Sequence, residues 1–256
     1  MAEEILKVER GANYVTLTLN RPERRNALNQ ALVEALDRAL RSIEQDKEIR
    51  AVVIRGEGAH FCAGIDLAEV ARTQGGHNPI TLEQAFSRLE KLPVPTIAAI
   101  QGAALTGGLE LALHCDLRIA AEDARLAMNL GRVGLVAPYD FVRKLIEVIG
   151  SPNTAYILYT AEPVDARRAL AMGMVHDVVP NAALNEAAGA LAAKIAGNAP
   201  LSLRAMKAVI RRCMSGAFDA WHDDLLEIVR EVRQSEDAKE GVRAFLEKRK
   251  PVWKAQ

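Results

Sequence analysis

One stretch, residues 100–116, constrains the fold of this chain more than any other part. It begins at the end of an apolar run, 96–100, that predicts a buried strand. It ends in a run at 109–115 that is apolar on nearly every side and predicts a buried helix. Gly107 and Gly108 stand where this helix should begin, and a glycine pair lets another backbone or a ligand approach closely. The stretch therefore predicts a helix start inside the protein, where the first amide groups lack helical acceptors.

A single carboxylate, Glu110, lies just inside the predicted helix. An acid among leucine and alanine residues is rarely buried without a partner or a chemical role. Amide donors beside a proton carrier can stabilise negative charge that develops in a reaction, so the pattern favours an enzyme. A structural ion pair of Glu110 is the alternative. A phosphate-binding loop is excluded, because Gly108 and Leu109 stand where that loop needs Lys and then Ser or Thr.

Length and charge limit the class of protein. The chain has 256 residues, of which 50% are hydrophobic, which suits one large domain or a domain with a small appendage. Its 33 basic and 33 acidic residues argue against a nucleic-acid or membrane-surface partner. We find no apolar run long enough to cross a bilayer and no apolar segment typical of a signal peptide. The three cysteines are far apart, and no metal-ligand spacing is visible, so we expect a cytoplasmic protein with free thiols and no metal.

Short apolar runs alternate with helical patterns, which predicts an α/β fold. Strands are predicted at 15–19, 52–54, 96–100, 117–120 and 176–179. Helices are predicted from Ala27, from Leu67, over 81–92 and from Ala182 almost to the end, with a loop at 74–79.

Several short motifs, in this order, resemble the crotonase, or enoyl-CoA hydratase/isomerase, superfamily. They are Leu19-Asn20-Arg21-Pro22, Asn26-Ala27-Leu28, Ala63-Gly64-Ile65-Asp66, Gly107-Gly108-Leu109-Glu110 and the stretch 240–250. The resemblance implies a spiral of ββα units over residues 1–196 that carries an acyl-CoA site. It implies a helical segment over 197–256 that packs into homotrimers, often paired as hexamers. The implied substrate is an acyl-CoA thioester, and no separate cofactor is expected because CoA is carried by the substrate.

The resemblance also implies roles for individual residues. The backbone N–H groups of Ile65 and Gly107 would form an oxyanion hole for the thioester carbonyl, and Glu110 would be the acid–base residue. The residues implied in CoA binding are Arg24, Arg25, Ala63, Ile65, Asp66, Leu67 and Gly107, together with Phe245 and Lys248, which would reach the CoA of a neighbouring subunit. For Arg24, Arg25 and Lys248 the alternative is an ordinary solvated surface.

The sequence departs from the hydratase pattern at the second acid. Hydratases of this superfamily hold one water between two glutamates, and Leu130 stands at the position of the second. Leucine cannot transfer a proton, and the loss of one acid–base group costs roughly a hundredfold or more in rate. The segment around Tyr139 instead resembles methylmalonyl-CoA decarboxylase-like members, in which a tyrosine faces the carboxylate that is lost, although those members have a histidine at the position of Ile65. Tyr139 could also be an ordinary pocket wall, and Asp140 either the missing acid–base group or a surface turn residue.

We therefore expect an acyl-CoA enzyme that forms or stabilises a thioester enolate by lyase or isomerase chemistry. One alternative is an enoyl-CoA hydratase that uses Glu110 alone or together with Asp140. The other is a catalytically weak acyl-CoA-binding subunit.

Overall fold

Two β-sheets organise the molecule. The computed structural model describes residues 4–73, 81–198, 200–214, 234 and 236–249. The strands are β1 (Leu6–Arg10), β2 (Tyr14–Leu19), β3 (Ala51–Gly56), β4 (Thr96–Ile100), β5 (Ala103–Leu105), β6 (Leu117–Ala121), β7 (Arg125–Ala127), β8 (Val164–Asp165) and β9 (Asp177–Val179). The main sheet has the order β1-β2-β3-β4-β6-β9, and a small sheet has the order β5-β7-β8. In the main sheet β1 is antiparallel to β2, whereas β2, β3, β4, β6 and β9 are parallel.

Helices connect the strands and cover the main sheet. They are α1 (Gln30–Gln45), α2 (Leu67–Thr73), α3 (Leu82–Lys91), α4 (Gly107–Leu113), α5 (Tyr139–Thr160), α6 (Ala166–Ala171), α7 (Leu184–Ala196), α8 (Pro200–Met214) and α9 (Glu236–Leu246). The predicted α/β class is confirmed, and so are the buried strand at β4 and the buried helix at α4. The predicted loop at 74–79 lies outside the described residues, as do parts of the predicted C-terminal helical segment.

The first predicted helix begins three residues later than expected. It starts at Gln30, because the side chain of Asn29 caps it by accepting the Leu32 N–H at 3.0 Å. The apolar pattern that starts at Ala27 is therefore not helical at its beginning. Leu28 instead forms an isolated parallel β-bridge with Ile65.

Both faces of the main sheet are buried, which explains the unbroken apolar runs in β3 and β4. Successive side chains of a strand point to opposite faces. One face contributes to the larger core through Val52, Ile54, Ala98, Ile100 and Ala120. The other face is covered by α7, where Leu184, Ala188 and Ala192 pack on Ala51, Val53, Ile97, Ala99, Ile119 and Ala121.

The C-terminal helices contact the core at two places. Lys207 of α8 is buried and donates to Asp116 Oδ2 at 2.6 Å and to the Val94 carbonyl at 3.0 Å. Helix α9 packs against α2 and against a short 3₁₀ turn, Leu130–Val133. A Cβ atom added to Gly241 of α9 would lie 1.7 Å from the Val133 carbonyl oxygen, so this contact requires glycine. Among the described residues, no helix combines the length and hydrophobicity that a bilayer crossing requires.

Candidate active site

Three loops meet at the carboxyl ends of β2, β3 and β4. Parallel strands end at the same edge of a sheet, so the connecting segments 20–29, 57–66 and 101–106, the last of which contains the short strand β5, converge there. Asn26 joins the first two loops and is fully buried. Its Nδ2 donates to the carbonyls of Glu57 at 2.9 Å and His60 at 2.7 Å, while its Oδ1 accepts the Arg21 N–H at 2.9 Å.

The second loop pairs with the third as a short strand-like segment. The Cys62 N–H donates to the Ala103 carbonyl at 3.0 Å, and the Cys62 carbonyl accepts from the Leu105 N–H at 3.0 Å. Burial raises the pKa of the Cys62 thiol, and likewise that of Cys115, to about 12. Both are free thiols, as predicted, and they pack as inert apolar groups. The side chain of Cys213 lies outside the described residues.

The backbone amide of Ile65 is turned toward α4. Leu28 donates its N–H to the Gly64 carbonyl at 2.7 Å and accepts the Asp66 N–H at 2.9 Å, which is the pairing of a parallel bridge centred on Ile65. Alternate backbone groups of an extended segment point in opposite directions, so the Ile65 N–H faces away from Leu28. A Cβ atom placed on Gly107 would lie 3.7 Å from the Ile65 nitrogen. The fold therefore brings together the two amides that the motifs imply.

Gly107 and Gly108 meet different surroundings at the start of α4. A Cβ atom on Gly108 would lie 2.1 Å from the Cys62 carbonyl oxygen, so Gly108 allows close approach of another backbone. A Cβ atom on Gly107 would make ordinary contacts of 3.5 Å or more. Within the described ranges, neither the Gly107 nor the Ile65 N–H has a backbone acceptor. Two amide donors, one of them at the positive end of a helix, thus lie side by side.

Glu110 lies one turn into α4, where every residue is buried, and is itself 6% exposed. Residues three apart on a helix are neighbours, so Glu110 and Gly107 share one face of α4. The Glu110 carbonyl accepts from the His114 N–H at 3.0 Å and lies 2.9 Å from His114 Nδ1. Burial lowers the pKa of His114. Because a carbonyl can only accept, Nδ1 of the neutral imidazole carries the proton.

A layer of charged side chains lies behind His114. Its Nε2 is 3.7 Å from Glu90 Oε2, and Glu90 Oε1 accepts from Lys144 Nζ at 2.8 Å. Burial alone would raise the pKa of Glu90, but the nearby cations, Lys144 first and Arg143 as well, together hold the pKa below its usual range. This layer connects α3 and α5 to the end of α4.

The carboxylate of Asp66 is engaged within the protein. Asp66 Oδ2 accepts from Arg21 Nη2 at 3.0 Å, and Oδ1 accepts the Glu69 N–H of α2 at 3.3 Å. Burial opposes ionisation, but the hydrogen bond from Arg21 holds the pKa of Asp66 below its usual value. The Asp66 side chain therefore supports the loop, and its predicted contact with CoA stays a prediction.

The departures from the hydratase pattern lie on the 3₁₀ turn and the start of α5. Leu130 opens the turn, is half-buried and packs against the larger core. Tyr139 is the half-buried first residue of α5. The Asp140 side chain is 45% exposed and lies 3.9 Å from Arg143 Nε. The surroundings of Asp140 are thus more polar and wetter than those of Glu110.

The remaining predicted CoA residues are spread over four elements. Arg24 and Arg25 are exposed on the first loop, where the Arg25 carbonyl accepts the Ala63 N–H at 2.9 Å. Leu67 is the first residue of α2. Phe245, 55% exposed, lies on α9, and Lys248 follows it on the surface. Their contacts with CoA stay predictions.

Sequence reasoning missed two residues that shape the site. Arg21 bonds both the Ala27 carbonyl and Asp66, and Thr106 precedes Gly107 in an unusual backbone conformation. The Arg21 partner lies 45 positions away in the sequence, so no local pattern indicates it. For Thr106, the only local signal in the sequence was its position directly before the glycine pair.

Comparison with known proteins now identifies the family. The model of the enoyl-CoA hydratase/isomerase family matches residues 9–256. The chain belongs to this family. A probable enoyl-CoA hydratase of Bacillus subtilis (strain 168) is 38% identical over 248 residues, which cover 94% of this chain and 95% of the relative. A short-chain-enoyl-CoA hydratase of Clostridium acetobutylicum is 34% identical, with 95% of each chain covered.

Solved structures of the family share the fold. Carnitinyl-CoA hydratase from Mycobacterium avium matches with a TM-score of 0.90 and 39% identity over 100% of both chains. A methylmalonyl-CoA decarboxylase matches with a TM-score of 0.89 and 27% identity, again over 100% of both chains. The crotonase-type fold that the motifs implied is therefore confirmed.

Proposed function

We propose that this protein binds an acyl-CoA thioester with its carbonyl oxygen between the N–H groups of Ile65 and Gly107, and that Glu110 moves a proton at the carbon beside this carbonyl. The observation that carries the proposal is the adjacency of the two amides, with a Gly107 Cβ position 3.7 Å from the Ile65 nitrogen, at the start of the helix that holds buried Glu110. CoA enters as part of the substrate, and the proposal needs no separate cofactor.

The proposed step converts the thioester into its enolate. The α-carbon–hydrogen bond breaks, its proton passes to the Glu110 carboxylate, and its electron pair forms the enolate whose charge rests on the thioester oxygen. Each preorganised donor to such an oxygen contributes about 2.7–4 kcal/mol to the transition state. The positive end of α4 adds to this stabilisation because the developing charge is negative.

The reaction that follows enolate formation is proposed to be a lyase or isomerase reaction. Leu130 packs on the core where a hydratase would hold its second glutamate, so water there would lack one of its two activating groups. The second candidate is hydration by Glu110 alone or together with Asp140. Several relatives are named as enoyl-CoA hydratases, and these names favour the second candidate.

The enolate step can be tested without knowledge of the natural substrate. In D₂O the protein should exchange an α-proton of butyryl-CoA for deuterium, which mass spectrometry detects as a gain of one mass unit or more. Glu110→Gln keeps the shape of the side chain and should abolish most of the exchange. The matched control is Glu162→Gln, since Glu162 is exposed at the end of α5. Equal exchange by the unmodified protein and Glu110→Gln would exclude Glu110 as the base, and binding without exchange would favour a binding subunit.

Hydration is tested separately with crotonyl-CoA in ¹⁸O-labelled water. We expect label to be incorporated slowly. The turnover number should lie far below the upper end of the usual range for enzymes, which is on the order of a thousand per second. Fast incorporation would show the interpretation of Leu130 to be wrong. Loss of that fast rate in Asp140→Asn would then identify Asp140 as the second acid.

A further inference from the structure

Thr106 has a backbone conformation that residues with a side chain rarely adopt. Its φ is 48° and its ψ is −116°, outside both the right-handed and the left-handed helical regions. Such residues persist where the surrounding structure holds them, and they cluster at functional sites. Thr106 is the residue directly before Gly107.

Both backbone groups of Thr106 are fixed by neighbours. Its N–H donates to the Ala127 carbonyl at 2.8 Å, at the end of the small sheet, and its carbonyl accepts the Glu110 N–H at 2.9 Å. Rotation about ψ turns the peptide plane that joins Thr106 to Gly107. The unusual ψ of Thr106 therefore sets the direction of the Gly107 N–H, the first of the two donors.

The side chain of Thr106 lies against Gly64, the residue that begins the peptide carrying the second donor. A Cβ atom on Gly64 would lie 1.8 Å from Thr106 Oγ1, so the hydroxyl occupies the space beside Gly64 that other residues fill with a side chain. Gly64 has a φ of 96°, which favours glycine, and the peptide from Gly64 to Ile65 carries the Ile65 N–H. One residue thus touches both halves of the paired amides.

We propose that Thr106 is a positioning residue for this site, whose backbone aims the Gly107 N–H and whose hydroxyl supports the Gly64–Ile65 peptide. This assignment rests on the proposed function, because it requires a thioester oxygen between the two amides. Beyond that function, the orientations of the two N–H donors are coupled to each other through Thr106. Replacement by glycine removes the hydroxyl that lies against Gly64, so the Gly64–Ile65 peptide loses its support, whereas the backbone of residue 106 can keep its φ and ψ because glycine adopts them without strain.

The test uses butyryl-CoA labelled with ¹³C at the thioester carbonyl and difference infrared spectroscopy. Two aligned donors lower the stretching frequency of the bound carbonyl relative to free butyryl-CoA. In Thr106→Gly we expect affinity within about threefold of the unmodified protein, because most binding energy comes from elsewhere on the ligand. We expect the carbonyl frequency to return part of the way to the free value and deuterium exchange to fall roughly tenfold or more. The thermal midpoint should not fall, because glycine adopts the φ and ψ of residue 106 without the strain that a side chain causes.

Two further variants separate positioning from folding. Thr106→Ser keeps the hydroxyl and the Cβ atom and should retain the native frequency and exchange rate. Thr106→Ala keeps the Cβ atom but loses the contact with Gly64, and should shift the frequency part of the way. Ala161→Gly is the matched control, since Ala161 ends α5 with a similar φ of 52° and its replacement should change neither readout. If Thr106→Gly does not fold, the comparison of Thr106→Ser with Thr106→Ala tests the positioning role of Thr106.

The outcomes separate the two proposals. A native carbonyl frequency and exchange rate in Thr106→Gly would overturn the positioning role, and so would equal frequencies in Thr106→Ser and Thr106→Ala. A normal, unshifted carbonyl in the unmodified protein would overturn the proposed oxyanion hole itself, before any variant is compared.

Discussion

The two adjacent glycines of α4 should respond in opposite ways to a single methyl group. In Gly107→Ala the new Cβ atom would lie 3.5 Å from side-chain carbons of Ile65 and Leu28, which are ordinary contacts. In Gly108→Ala it would lie 2.1 Å from the Cys62 carbonyl oxygen, so the backbone must move. Gly107 does not have a positive φ, and Gly→Ala at such a position stabilises a protein by about 0.4–1 kcal/mol, so Gly107→Ala should fold at least as well as the unmodified protein. Gly108→Ala should lose about 1–3 kcal/mol or more through overpacking.

Gly107→Ala should keep its stability but lose its activity. The methyl group of Gly107→Ala would lie 3.7 Å from the Ile65 nitrogen, in the space beside both amides. An enolate oxygen must come within about 2.7–3.1 Å of each donor, so the methyl group would push it away from at least one. Loss of one donor costs about 100- to 1,000-fold in turnover, or about 2.7–4 kcal/mol. Gly107→Ala should therefore be stable and nearly inactive.

Three measurements on the same samples check this expectation. Urea denaturation gives the free energy of unfolding, butyryl-CoA titration gives affinity, and deuterium exchange gives the rate of enolate formation. Gly189→Ala is the matched control, because Gly189 lies in α7 on the opposite face of the main sheet, and its Cβ atom would be 3.4 Å from the Tyr14 hydroxyl. Native exchange in Gly107→Ala would refute the reasoning, and so would loss of stability equal to that of Gly108→Ala.

Two further predictions concern stability and assembly. Burial would raise the pKa of Asp37, but hydrogen bonds from Arg41 at 2.7 Å and Arg88 at 2.8 Å hold it below its usual value. The stabilisation is therefore present above the unfolded-state pKa of about 3.9 and is lost as pH falls through the folded-state pKa. Asp37→Asn should lower the free energy of unfolding by about 1–3 kcal/mol at pH 7, and urea denaturation at several pH values should find this difference shrinking below about pH 4. Light scattering should find a trimer or hexamer, because several apolar side chains of α8 are exposed in one chain, and a monomer at micromolar concentration would contradict this.

The local hydrophobic pattern of the sequence was enough to predict the strand and the helix on either side of the candidate site. Strand β4 and helix α4 are apolar on both sides, and the glycine pair marks the start of α4 correctly. The small sheet was missed, because strands of two or three residues such as β8 and β5 are too short for a visible period. The start of α1 was also wrong, because Leu28 has the right spacing for the helix but pairs with Ile65 instead.

The contacts that aim the donors could not be predicted in this way. The Arg21–Asp66 ion pair and the packing of Thr106 against Gly64 each join residues more than 40 positions apart. Neither contact changes the hydrophobic period of its segment. Each depends on the register between loops at the edge of the sheet, which is a property of the folded chain.

The proposed site consists of two parts that depend on the sequence in different ways. The proposed donor part is built from backbone amides at Ile65 and Gly107, held by pairing with neighbouring segments, so it depends on the fold and on the glycines beside it. The acid–base part depends on side chains, with Glu110 on a buried helix but Leu130 and Asp140 at the starts of a 3₁₀ turn and of α5. A single substitution there removes or moves a proton carrier and leaves enolate stabilisation unchanged. A family built on this division can keep one intermediate while its reactions diverge, and for this chain Leu130 is the position at which we expect that divergence.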